Sequence, residues 1–215
     1  MFFKDRLEAG QKLIPLLEQY KNNPDAIILG LPRGGVIPAA EISKTLSLPL
    51  DIIVPRKIGA PGNPEFAIGA ITEDGEAVFN EGVGTIYKID EKYTKQEIEK
   101  QKKEAQRRLE TYRGDRPPLS LTGKIAILVD DGVATGATMR AAIKSAEQKG
   151  AKKIIVAIPV IAKDSLQAIQ GECDEIIYLD APIAFGAVGA FYETFPQTED
   201  QEVIEILKKN QMIFQ

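Results

Sequence analysis

Residues 125–139, Ile-Ala-Ile-Leu-Val-Asp-Asp-Gly-Val-Ala-Thr-Gly-Ala-Thr-Met, set two adjacent carboxylates behind an apolar run and ahead of a loop of small residues. Read physically, this is a buried strand, then Asp130 and Asp131 at its carboxyl end, then a turn opening a helix. Ligands of open α/β sheets sit at the carboxyl ends of strands. A small-residue loop exposes backbone N–H groups, and the helix N-terminus behind it adds partial positive charge, so Ala134–Thr138 suits a phosphate. Carboxylates beside a phosphate cradle accept hydrogen bonds from sugar hydroxyls. The ligand these residues imply is a ribose 5-phosphate unit. Asp130 and Asp131 also fit a plain helix N-cap pair, the bland alternative.

Other phosphate loops do not fit. There is no G-x-x-x-x-G-K-[ST], and Gly82-Val-Gly-Thr-Ile-Tyr87 starts like a dinucleotide loop but lacks the third glycine. The chain has no histidine, which removes Ser-His and Cys-His nucleophile pairs and His-ligated zinc. Cys173 is the sole cysteine, so an internal disulfide is ruled out, and a buried, unreactive thiol is expected. Chemistry is left to carboxylates, backbone amides, Lys, Arg or a hard metal.

The 215 residues suffice for one domain with a substantial core. Lys plus Arg number 27 against 31 Asp plus Glu, a net charge of −4, which argues against a general nucleic-acid or anionic-membrane binder. MFFKDRLEAG carries early charges and no apolar run behind them, unlike a signal peptide. No stretch approaches the roughly 20 apolar residues of a membrane span. A cytoplasmic domain is expected.

The elements that must position the site follow from periodicity. Residues 4–21 read as a helix despite Pro15, 25–30 as a strand ending in the Pro32, Gly34-Gly35 loop, 36–46 as a helix, and 50–54 as a strand. PRKIGAPGNPEF (55–66) reads as a Pro- and Gly-rich loop, followed by a hairpin of 67–71 and 77–79. Residues 90–113 are almost all charged, Gln or small, with Ile98, Ala105 and Leu109 as a thin apolar stripe. That predicts a long exposed helix, ended by GDRPP. Strands at 124–129, 154–158 and 175–179 alternate with helices at 137–149 and 164–170. Near-continuous apolar strands alternating with helices predict an α/β fold: a mostly parallel sheet with helices on both faces.

VDDGVATGAT resembles the phosphoribosyl-pyrophosphate (PRPP) motif of the type I phosphoribosyltransferases. Leu31-Pro-Arg-Gly-Gly35 resembles that family's pyrophosphate loop, and Pro55-Arg-Lys-Ile-Gly59 its basic loop. The order of elements agrees over about residues 23–182. LPRGG, PRKIGAPGNPEFAIGAI and the tail APIAFGAVGAFYETFPQTEDQEV resemble a bacterial and archaeal group whose acceptor is unassigned.

The resemblance implies a type I phosphoribosyltransferase fold and transfer of a phosphoribosyl group from PRPP to a nitrogenous, base-like acceptor, with Mg²⁺ bound mostly through PRPP. Asp130 and Asp131 would hold the ribose 2′- and 3′-hydroxyls and could also face the metal. Ala134, Thr135, Gly136, Ala137 and Thr138 would wrap the 5′-phosphate. Arg33, Gly34 and Gly35 would contact the pyrophosphate, in a loop that often holds a cis non-proline bond; Gly34 or Gly35 best tolerates that geometry. Arg56 and Lys57 would neutralise the leaving group, so Asp130, Asp131, Lys57 and Arg33 carry the chemistry. For the three cations, ordinary surface charge is the competing reading.

Ala134 stands where 6-oxopurine enzymes carry an aspartate, which puts hypoxanthine and guanine in doubt; Glu65 is a candidate replacement base. The division implied is an N-terminal helix at 1–22, a core at 23–182 with a helical insertion at about 88–118, and a tail at 183–215. The first and last would form a hood over the acceptor. There Phe185, Phe191, Tyr192 and Phe195 could stack on a base, or simply pack against the core. The insertion could cover the site or make a homodimer contact. A PRPP sensor without catalysis is the alternative function. The absence of a helix-turn-helix segment and the retained Arg33-Gly34-Gly35 and Arg56-Lys57 favour the enzyme.

Overall fold

The computed structural model describes residues 1–72, 74–79, 90–114 and 118–211, without the side chains of residues 64–66 and 211. The Gly82–Tyr87 segment and most of the GDRPP stop lie outside the described residues, as does the Glu65 side chain.

Five parallel strands form the main sheet: β1 (Ala26–Gly30), β2 (Leu50–Ile52), β6 (Ile125–Val129), β7 (Lys153–Val160) and β8 (Glu175–Asp180). Their spatial order is β2-β1-β6-β7-β8. Both faces are buried because apolar side chains alternate to both sides. Ile28, Ile127, Val129, Ile155 and Ala157 point to one face. They meet α1 (Arg6–Leu17), α2 (Val36–Leu46) and a C-terminal helix, α6 (Asp200–Gln211), through residues such as Leu13, Ile42 and Leu207. Leu29, Ala126, Leu128, Val156 and Ile158 point to the other face, against Met139 and Ile143 of α4 (Ala137–Gln148) and Ile169 of α5 (Lys163–Ile169). Pro15 does not break α1: the helix runs through it to Leu17 and tightens to a 3₁₀ turn at Glu18–Tyr20. Helix α6 is not anticipated by the sequence reading, although Val203 and Leu207 at helical spacing mark its buried face.

The segment read as the loop 55–66 is a correction. Most of it is β3 (Arg56–Ala60) and the start of β4 (Asn63–Ile71), which with β5 (Ala77–Phe79) make a three-stranded antiparallel sheet. The Pro and Gly residues mark a tight turn and bulges rather than a loop: the β3–β4 register shifts between Ile58 and Gly59 and again between Gly59 and Ala60. The shift lets Ala67 and Ala70 share one face, packed on Ala137 and Ala141 of α4. Ile58, Ala60, Ile68 and Ile71 take the other face.

That second face is covered by α3 (Glu91–Arg113), so the insertion helix is not a solvated arm. Ala105 is buried against the isoleucines, with Tyr93 and Ile98 beside it, and Leu109 reaches the main core. The thin stripe is the packing face, sufficient for a small, flat sheet. The Tyr93 hydroxyl donates to the Gly59 carbonyl (2.9 Å) and Tyr112 to Asp200 Oδ1 (2.6 Å), tying α3 to the hairpin and to α6. At its end, Arg113 Nη2 meets Asp51 Oδ2 of β2 at 2.6 Å, with side chains 8% and 16% exposed. Removing one partner of such a pair strands a charge. Arg113→Ala is therefore expected to lower unfolding free energy by about 3 kcal/mol in urea titration; a loss within ~0.5 kcal/mol would show that the pair is dispensable.

Candidate active site

The strand order locates the crevice. From β1 the chain crosses to β2 on one side; β6, β7 and β8 fill the other. The connections therefore diverge between β1 and β6, and the gap at their carboxyl ends is the usual ligand position in such sheets. The loops after these two strands meet there. Leu31 N–H donates to the Val129 carbonyl at 2.9 Å. Gly34 lies so close to Asp131 that a Cβ there would overlap its carboxylate; one on Gly35 would sit 2.8 Å from Asp130 Cα and 2.8 Å from the Leu31 carbonyl. These glycines are needed for close approach of the two loops. The peptide bond between Pro32 and Arg33 is cis, ahead of both glycines.

A cavity of about 460 Å³ opens beside these loops, lined by Lys57, Ala67, Asp130, Ala134–Gly136, Thr138 and Val188, among others. Gly136 caps α4 with φ +78°, and no side chain occupies the cap, so the first N–H groups of the helix are presented to the cavity side. The loop is braced from behind by Ser165, whose hydroxyl donates to the Ala134 carbonyl at 2.6 Å. A Cβ at Gly136 would find 3.5 Å to Ser165 Cβ, ordinary contact; the constraint at this position is the left-handed backbone, not space.

Asp131 N–H donates to Asp130 Oδ1 at 2.8 Å, which aligns the pair. Burial, followed by the neighbouring Asp131 carboxylate, pushes the Asp130 carboxyl well above the ordinary aspartate range. Burial also raises Asp131, and Arg6 opposes it. Arg6, from the first turn of α1, is the residue sequence reasoning missed. Its Nε donates to Asp131 Oδ2 at 2.5 Å and its Nη1 to the Pro196 carbonyl at 2.7 Å. Nothing in the local pattern around Arg6 marks it; the partner is 125 residues away.

The predicted cations separate. Lys57 lines the cavity from β3, together with Ala134–Gly136 and Thr138. Arg56 is on the opposite side of the strand, as period-2 alternation requires. Its Nε donates to Gln101 Oε1 of α3 (3.1 Å), and burial, then Arg108, lowers its pKa. It lines a larger cavity, about 850 Å³, which runs along α3 and contains none of residues 134–138. Chemistry rather than size marks the first cavity as the site. Arg33 points toward α6, 3.7 Å from Asp200 Oδ1 and 3.8 Å from Glu199 Oε2. Tyr192, Phe185, Phe191 and Phe195 pack with Phe3 and Val160, and Tyr192 is buried. Cys173 is half-buried, and burial pushes its thiol up to about 11.

As to metals, no cluster of three or more His, Cys, Asp or Glu suited to one occurs among the described residues. Asp130 lines the cavity and Asp131, held by Arg6, lies beside it; both are hard oxygen donors that fit Mg²⁺ if a ligand completes its shell. No helix among the described residues is long and apolar enough to cross a membrane.

Together, the divergent parallel sheet, the acidic pair and the uncapped small-residue loop define an α/β domain with a cavity at the carboxyl ends of its strands. The chain belongs to the phosphoribosyl transferase domain family, matching it over residues 7–190. It is 44% identical over 207 residues to a protein of Mycobacterium tuberculosis, from strains CDC 1551 and H37Rv, named as a candidate phosphoribosyl transferase. The match covers 96% of this chain and 46% of the relative, so the chain spans about half the length of the curated relatives it matches. Among solved structures it is similar to the protein TT1426 of Thermus thermophilus. The identity is 40%, the TM-score 0.80, and the match covers 97% of this chain and 99% of that one.

Proposed function

We propose that this chain moves a 5-phosphoribosyl group from PRPP to a nitrogenous, base-like acceptor, releasing pyrophosphate. The observation that carries the reading is the joining of Asp130, the 134–138 loop and Lys57 around one cavity at the β1/β6 divergence. Ala134–Thr138 hold the 5′-phosphate through backbone N–H groups and the α4 N-terminus. Asp130 and Asp131 accept hydrogen bonds from the ribose 2′- and 3′-hydroxyls. The acceptor nitrogen forms a bond to the anomeric carbon as the carbon–oxygen bond to pyrophosphate breaks. The leaving oxygen keeps the electron pair, and the acceptor gives up a proton. The transition state has oxocarbenium character. Lys57, which lines the cavity, meets charge on the leaving group, where electrostatic help is worth most. Arg33, Gly34 and Gly35 form the pyrophosphate loop. Arg56 joins them only if its bond to Gln101 opens.

Mg²⁺, held mainly by PRPP with Asp130 and Asp131 at hand, supplies charge neutralisation of the pyrophosphate when bound. The α1 segment and the tail 183–215 serve as the hood, and Val188 of the tail lines the cavity. Ala134 offers no carboxylate to a 6-oxopurine. Beyond covering the hairpin, the α3 insertion serves to cover the site or to make a homodimer contact, and the compartment is the cytoplasm.

The test is pyrophosphate release from Mg-PRPP across a panel of nucleobases and related heterocycles, with the Asp130→Asn, Asp131→Asn variant as blank. Release with one acceptor and none in the blank is the expected result. PRPP binding without release from any acceptor would return the sensor reading.

A further inference from the structure

Arg6 stands where three separate pieces of chain meet. Its guanidinium bonds the carboxylate of Asp131 on the loop after β6 and the carbonyl of Pro196 in the tail. Its third contact is stacking, with Cζ 3.6 Å from the centre of the Phe195 ring. Its Nε also lies 2.9 Å from where a Gly34 Cβ would be, so it abuts the loop after β1 as well. It is 7% exposed. Asp131 is gripped at its other polar atoms too: its N–H by Asp130 Oδ1 (2.8 Å) and its carbonyl by the Tyr192 hydroxyl (2.6 Å). Tyr192 and Phe195 rings lie 4.8 Å apart, which closes the tail around the arginine. A side chain of α1 and two aromatic residues of the tail thus converge on one carboxylate.

We infer that Arg6 is a positioning residue for the ribose site: it sets the rotamer of the Asp131 carboxylate behind Asp130, and makes PRPP affinity depend on docking of α1 and the tail. The inference rests on the proposed ribose role of Asp131. A planar guanidinium can serve a carboxylate and a carbonyl at once while stacking on a ring; an ammonium cannot reproduce all three.

The probes are Mg-PRPP, ribose 5-phosphate and inorganic phosphate, measured by calorimetry on the whole chain, so that no acceptor is required. Arg6→Gln is expected to weaken Mg-PRPP and ribose 5-phosphate about tenfold or more, the size of one lost hydrogen bond to a charged group. Inorganic phosphate, which needs only the 134–138 loop, is expected to bind as before. Arg6→Lys should recover part of the loss. A merely structural role would weaken all three probes alike, or lower the melting temperature alone; either outcome overturns the inference. So does tighter PRPP binding, which would make Arg6 a competitor for Asp131. If Arg6→Gln does not fold, Arg6→Lys decides: affinity for Mg-PRPP equal to the unaltered chain overturns the positioning role, and a selective loss supports it. Asp131→Asn separates the two readings. Weak PRPP binding there with unchanged binding in Arg6→Gln removes only the role of Arg6; unchanged binding in both removes the ribose assignment itself.

Discussion

The Asp130→Asn, Asp131→Asn double variant is expected to bind Mg-PRPP about a hundredfold or more weakly than the unaltered chain. Each carboxylate is assigned a charge-assisted hydrogen bond to a ribose hydroxyl, worth about 1.5–3 kcal/mol, and every 1.4 kcal/mol is tenfold. Asparagine keeps the shape, and its side-chain oxygen can still accept from the Asp131 backbone N–H, so the loop should survive. Glu202→Gln with Glu205→Gln, on the exposed side of α6, is the matched control, and its affinity should not change. Equal affinities in the two double variants would end the ribose assignment.

The single variants should diverge in stability. Asp130 is buried beside a second carboxylate, and both facts raise its pKa. A carboxyl with a raised folded-state pKa favours the fold when protonated, and that contribution is lost as pH rises through the folded value. Ionising it costs the fold, so Asp130→Asn should melt no lower than the unaltered chain while losing PRPP. Asp131→Asn should melt lower, because Arg6 is left buried without its carboxylate. This is the pattern expected where charge is retained for binding at the expense of stability.

Gly35→Ala is the second large effect. A Cβ there would meet Asp130 Cα and the Leu31 carbonyl, each at 2.8 Å. Both are backbone atoms at the point where the β1 and β6 loops touch, and neither can swing aside as a flexible side chain would. Overpacking of this kind costs about 1–3 kcal/mol when absorbed by backbone shifts. Here the shift must part the 31–35 loop from the acidic pair. The expected result is a lowered melting temperature together with at least a tenfold loss of Mg-PRPP affinity. An alanine variant with native affinity would show that the contact between the loops does not set the site. Gly62→Ala is a useful contrast: a Cβ there meets nothing within 4 Å, so any cost comes from its φ of +74°.

Much of this site was legible in one dimension because its parts are contiguous. Asp130, Asp131 and the 134–138 loop belong to a single strand-turn-helix unit, whose chemistry follows from residue order. Apolar runs within 25–30, 124–129 and 154–158 announce strands buried on both faces, so the parallel sheet was also readable. Periodicity failed where it was interrupted. Bulges at Ile58–Ala60 and the Pro and Gly residues around them disguised a hairpin as a loop. That changed the meaning of Arg56-Lys57: in a loop both cations can face one ligand, whereas on a strand they must face opposite sides. A thin stripe on α3 looked solvent-exposed because a small sheet needs only a narrow cover. What tertiary structure alone decided is which distant residues complete the site. Arg6 reaches Asp131 across 125 positions, Arg33 faces Asp200, and Tyr192 holds the Asp131 carbonyl. Local sequence cannot encode these pairings, since a buried polar group's partner is set by where the fold brings the chain back, not by its neighbours along it.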